Sequence, residues 1–103
     1  MAQFDVHAVP GNSLQAVSLL IELQSDLVLN LDAAVVAPLI PLQLAGLAAK
    51  GLNPVLSMGD EQFVLRIEEL AAVPRAVLGK TIGSLKSERE ALTAAIDLLL
   101  FGI

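Results

Sequence analysis

The side chains able to do chemistry are few. His7 is the only histidine and the sequence contains no cysteine. A lone histidine cannot assemble a multi-histidine metal site, and without thiols there are no disulfides, thiolate nucleophiles or cysteine-based zinc sites. His7 stands in an alternating apolar–polar segment with no acid or base at a spacing that would activate it, so it reads as structural. None of the serines lies in a G-x-S-x-G elbow, and neither a phosphate loop nor a dinucleotide fingerprint is present. Glu68-Glu69 reads as a solvated pair near a turn, Asp60-Glu61 as turn chemistry, and Asp32 as a loop residue. No catalytic group, metal site or cofactor is therefore expected.

What remains is the chemistry of association. Phe101-Gly102-Ile103 closes an amphipathic segment and no polar tail follows in the sequence. Chain ends are usually polar and frayed, so this one is expected either to be tied down or to be presented to a partner. Gly102 suits the left-handed position that ends a helix. A partner arginine could pair with the Ile103 carboxylate and lie over the Phe101 ring, a contact worth about 0.5–2 kcal/mol. The plainer reading is that Phe101 closes a core or a dimer seam.

The elements that must position these residues follow from periodicity. Ser87 and Glu90 predict a capping box at the start of a C-terminal helix. Leu92, Ile96, Leu99 and Leu100 form one stripe, with Ala91, Ala94, Leu98 and Phe101 on the opposite side. A helix apolar on both sides is covered on both sides. Upstream, Gln3–Val9 alternates, with Phe4, Val6 and Ala8 inward and His7 outward. Residues 10–13 read as a turn. Ala16–Gln24 is a second strand, with Val17, Leu19, Ile21 and Leu23 inward and Glu22 outward. Leu27–Leu31 is a short apolar run read as a small, exposed strand. Val35–Ile40 is a strand whose Pro38 argues for an edge or a bulge. Leu42–Ala49 is compatible with a helical turn.

Val55–Met58 and Gln62–Ile67 flank Gly59-Asp60-Glu61 and predict a hairpin with a three-residue loop. Glu68–Val73 reads as a connection, Pro74–Leu78 as the last strand, and the segment between Gly79 and Gly83 as a tight link. Many short strands followed by one helix predict a mainly β fold, a small barrel with a C-terminal α-helix packed on it, in a single domain of residues 1–103.

Composition narrows the partners. Eleven acidic against six basic residues give a net charge of −5, and the six cations are scattered. Direct binding to nucleic acid draws on clustered cations and is disfavoured. Apolar residues make up 55% of the chain, an excess that predicts a surface covered by an oligomer or partner. The longest uncharged stretch, Ala33–Ala49, is short for a membrane span and is broken by Pro38 and Pro41. No secretion signal is visible, and the absence of cysteine fits a reducing, cytoplasmic location.

Several stretches in order resemble the CcdB toxin family of toxin–antitoxin modules. They are Gln3-Phe4-x-Val6, Gln24-Ser25-Asp26, Pro38-Leu39, Asn53-Pro54-Val55, Met58-Gly59-Asp60-Glu61, Val73-Pro74, Val77-Leu78-Gly79, Ser87-x-Arg89-Glu90 and Phe101-Gly102-Ile103. The resemblance implies an SH3-like barrel of the CcdB, Kid and MazF type and a homodimer. It also implies a non-enzymatic toxin that traps DNA gyrase on cleaved DNA through the gyrase A subunit, with release by a CcdA-like antitoxin. Carried over by position, the gyrase-binding residues are Phe101, Gly102 and Ile103, where the family has Trp-Gly-Ile, with Leu27, Val28 and Asp97, the last replacing an asparagine. The change from tryptophan to phenylalanine weakens stacking on arginine. The alternatives are a detoxified binding or regulatory relative, and a ribonuclease of the MazF or Kid type.

Overall fold

In the computed structural model, residues 2–10, 17–28, 31–46 and 48–103 are described. Seven strands form one antiparallel sheet: β1 (Asp5–Pro10), β2 (Val17–Glu22), β3 (Ala33–Pro41), β4 (Val55–Met58), β5 (Glu61–Leu65), β6 (Ala71–Pro74) and β7 (Thr81–Ser84). One helix, α1 (Arg89–Phe101), follows them. The strand order is β4-β5-β3-β2-β1-β7, with β6 also paired to β3. The fold is thus mainly β with a C-terminal helix, as the pattern predicts.

The sheet curls until its ends meet. A Cβ on Gly83 of β7 would fall 2.5 Å from the Met58 sulfur of β4, so the two outer strands face each other and the Met58 side chain packs over the glycine. The Ser57 N–H on the β4 edge donates to Glu88 Oε2 at 3.0 Å, which caps a strand edge that would otherwise be open. Inside the curl lie Phe4, Val6, Ile21, Leu39, Leu56, Phe63, Leu65, Ile67 and Leu85. The helix adds Leu92 and Ala95, with Ala91, Ile96 and Leu99 packed beside them. Burying one such leucine contributes about 1.5–3 kcal/mol.

Several local expectations are corrected. Leu100 points away from the core, and the small Ala95 takes the inward place instead. The capping box does not form: Lys86–Glu88 is a 3-10 turn, Glu88 occupies the helix cap without a side-chain bond to the backbone there, and Glu88 is spent on Ser57. The hairpin loop has two residues, because Met58 pairs with Glu61 and Gly59 alone takes positive φ. Val73-Pro74 belongs to β6, Arg75–Val77 is a 3-10 turn, and the last strand is Thr81–Ser84.

Pro38 lies in a central strand. Its carbonyl accepts from Arg66 N–H at 3.0 Å, so the side of the backbone that lacks a donor faces the point where β3 exchanges β6 for β5 as partner. A missing N–H is tolerated at that junction. Residues 26–28 form a 3-10 turn where the sequence predicts a strand. The predicted turn at residues 10–13 lies, beyond Pro10, outside the described residues.

Candidate functional site

His7 and Glu22, expected on an outer face, are both fully buried. His7 pairs with Leu20 across β1 and β2, so Glu22 is its diagonal neighbour on the same face. That face is roofed by the segment between β6 and β7. Nε2 of His7 lies 3.1 Å from Glu22 Oε1, and Nδ1 lies 3.2 Å from the Gly79 carbonyl. Arg75 Nη1 donates to the other Glu22 oxygen at 3.1 Å and its Nε donates to the Leu31 carbonyl at 3.3 Å. A Cβ on Gly79 would overlap the Ala8 carbonyl, so glycine is what lets the roof come close enough. Both imidazole nitrogens are engaged and no edge of the ring reaches solvent. The arrangement fastens β1, β2 and the roof together.

The N-terminal turn is held as tightly. Asp5 N–H donates to the Ala2 carbonyl at 3.0 Å, and Phe4, inside this turn, has φ of +68°. That conformation is unfavourable for a bulky residue. It is sustained because Phe4 N–H donates to Glu22 O at 2.6 Å, Phe4 O accepts from Leu85 N–H at 2.9 Å, and the ring is buried beneath the Arg89 guanidinium, 5.8 Å from its centroid.

Exposed apolar groups define a different kind of site. Phe101 is 69% exposed and Ile103 82%, on either side of Gly102. Gly102 adopts φ of +73° and donates its N–H to Leu98 O at 3.1 Å, the left-handed helix ending that its position predicts. Asp97 is half-buried, four residues before Phe101 and hence adjacent to it on the helix surface. The last turn of α1 holds no basic residue. A carboxylate, the face of a phenyl ring and the negative end of a helix dipole therefore meet at one place, and each favours a cation.

Leu27 is 94% exposed and Val28 is also exposed, on the 3-10 turn. This turn belongs to the other end of α1. Gln3 N–H donates to Asp26 Oδ1 at 2.7 Å, while Arg89, the first helical residue, donates to Gln3 Oε1 at 3.5 Å. Phe101 lies about 18 Å further along the helix axis. Phe101, Gly102, Ile103 and Asp97 are thus brought together, and Leu27 with Val28 forms a second apolar knob near the helix start. The sequence alone missed the His7–Glu22–Arg75 network; an isolated charged residue inside an apolar strand, Glu22, was its one visible trace.

Among the described residues, no three His, Cys, Asp or Glu side chains gather as a metal site, and no helix is long and apolar enough to cross a membrane.

A curled antiparallel sheet closed by one C-terminal helix is the fold of small MazF-type toxins. Two solved structures share it: an endoribonuclease in complex with its cognate antitoxin from a mycobacterial species, with TM-score 0.78 and 9% identity over 97% of this chain and 94% of that one, and the Mycobacterium tuberculosis toxin MazF-mt6, with TM-score 0.63 and 24% identity over 90% and 92%. At these identities the likeness is one of fold. The family model of the CcdB protein matches residues 3–102, and the chain belongs to that family.

Proposed function

We propose that this protein is the toxin of a toxin–antitoxin module that binds the DNA gyrase A subunit and traps gyrase on cleaved DNA, without catalysing a reaction itself. The observation that carries the reading is the exposure of Phe101 and Ile103 around the Gly102 turn, with Asp97 alongside. An arginine of gyrase would lie over the Phe101 ring and pair with Asp97, while Leu27 and Val28 make apolar contacts. The two knobs sit at opposite ends of α1, so a homodimer that doubles both surfaces is part of the proposal. Leu98 and Leu100, exposed on α1, supply apolar area for the second copy. A CcdA-like antitoxin would cover the same apolar groups and release gyrase.

RNA cleavage is the second reading, favoured by the shared fold with an endoribonuclease. It needs a base within reach of a scissile phosphate and cations to hold the phosphate. Burial of His7 and Glu22 and the acidic net charge support the gyrase reading over it. The test is growth of gyrase-sensitive cells expressing the wild type or a variant lacking Gly102-Ile103. Toxicity abolished by the deletion supports the contact. Toxicity indifferent to it refutes the contact, and a non-toxic wild type that still binds the antitoxin supports a detoxified relative.

A further inference from the structure

The Gln24-Ser25-Asp26 stretch leads into the exposed Leu27 and Val28, and its three side chains hydrogen-bond the turn or tie it to neighbouring backbone. The Gln24 amide nitrogen donates to the Val28 carbonyl at 2.9 Å and to the Ala33 carbonyl at 3.4 Å. Its oxygen accepts from Val35 N–H at 3.1 Å. Two carbonyls on one side and an N–H on the other fix the amide's orientation. Ser25 Oγ accepts from Leu27 N–H at 3.1 Å and the Ser25 carbonyl accepts from Val28 N–H at 3.0 Å. Asp26 ties the turn to Gln3. One side chain, Gln24, thus bridges the turn directly to β3 in the middle of the sheet.

A short turn that leaves a leucine almost wholly in water derives no stability from that side chain. Polar groups that hold it in one conformation act on something other than core packing. Ordering such a segment at the moment of binding opposes affinity, and ordering it beforehand removes that opposition.

We propose that Gln24 is a positioning residue for gyrase recognition: its amide clamps the 26–28 turn to β3 so that Leu27 and Val28 meet the partner already in place. The proposal rests on the gyrase reading above. Gln24 touches no partner itself; it acts through Val28 and the backbone of β3.

A double-mutant cycle tests it. Affinity for the purified gyrase A subunit is measured for wild type, Gln24→Leu, Leu27→Ala/Val28→Ala, and the triple variant, with amide hydrogen exchange of the free proteins followed at Leu27 and Val28. Gln24→Glu, which keeps the acceptor for Val35 N–H but removes the donor to the Val28 and Ala33 carbonyls, is carried through the same cycle as a second variant should Gln24→Leu melt at a much lower temperature. Gln24→Leu is expected to weaken binding about tenfold, equivalent to about 1.4 kcal/mol, when Leu27 and Val28 are present, and less than about twofold when they are absent. Exchange at Val28 is expected to accelerate in the same variant. Equal losses in both backgrounds, or unchanged exchange, overturn the positioning role and leave the gyrase reading standing. Wild-type protein that does not bind gyrase A overturns the functional reading itself.

Discussion

Phe101→Ala separates a side chain presented to a partner from one that closes the protein's own surface. A phenylalanine covers ~150–250 Å² when fully buried. With 69% of Phe101 exposed, about 140 Å² is left for a partner to cover, worth ~3.5 kcal/mol at ~25 cal/mol per Å². Coverage is incomplete in any interface and alanine keeps its methyl group, so the expected loss is about 2–3 kcal/mol, or roughly 30- to 150-fold in affinity. Folding stability is expected to change by less than ~0.5 kcal/mol, because the ring gives little to the core. Isothermal titration against the gyrase A subunit, beside urea denaturation and sedimentation of the free protein, reads the three quantities. Unchanged gyrase affinity together with a loss of more than about 1 kcal/mol in stability or dimerisation would refute the argument and assign Phe101 to the protein's own packing. Phe101→Trp is expected to shift affinity the other way, since the indole is the stronger partner for a cation.

Four further substitutions test the frame that holds these surfaces. Arg75→Met removes a charge-assisted bond from the buried Glu22 and a bond to the Leu31 carbonyl, and is expected to cost about 2–4 kcal/mol by urea denaturation; a change below about 1 kcal/mol would contradict the network's importance. Gly79→Ala drives a methyl group into the Ala8 carbonyl and is expected to cost more than about 3 kcal/mol, whereas Gly59→Ala, left-handed but in open space, is expected to cost only about 1 kcal/mol in the same assay. Leu92→Ala empties the contact between α1 and the curl and is expected to cost about 2–5 kcal/mol, with the lower end marking a helix able to settle inward.

Much of this fold is legible in the sequence because burial alternates with the strand period. Phe4, Val6, Ile21 and Leu23 all lie inside as the pattern requires. Gly102 was legible because few conformations other than a left-handed helix ending explain a glycine there. The His7–Glu22 pair was misread for a definite reason. Alternation assigns every second residue to water, but here the second face is covered by the roof between β6 and β7, and two polar groups satisfy each other beneath it. Strand β6, Ala-Ala-Val-Pro, carries too little side-chain contrast to announce itself; β3 imposes it. Helix capping was mistaken because Glu88 is recruited to the β4 edge, a non-local demand that local spacing does not encode. The exposed knobs were visible as apolar residues in unsuitable places, while their positions at opposite ends of α1 depend on contacts between Gln3, Asp26 and Arg89 that are remote in sequence.

The most direct measurement is DNA cleavage by purified gyrase in the presence of this protein, with the reaction stopped by detergent and the enzyme digested away. The account predicts accumulation of linear DNA that depends on gyrase, is abolished by deleting Gly102-Ile103, and is accompanied by no loss of added RNA. Intact DNA at saturating protein, with RNA cut instead, would contradict it.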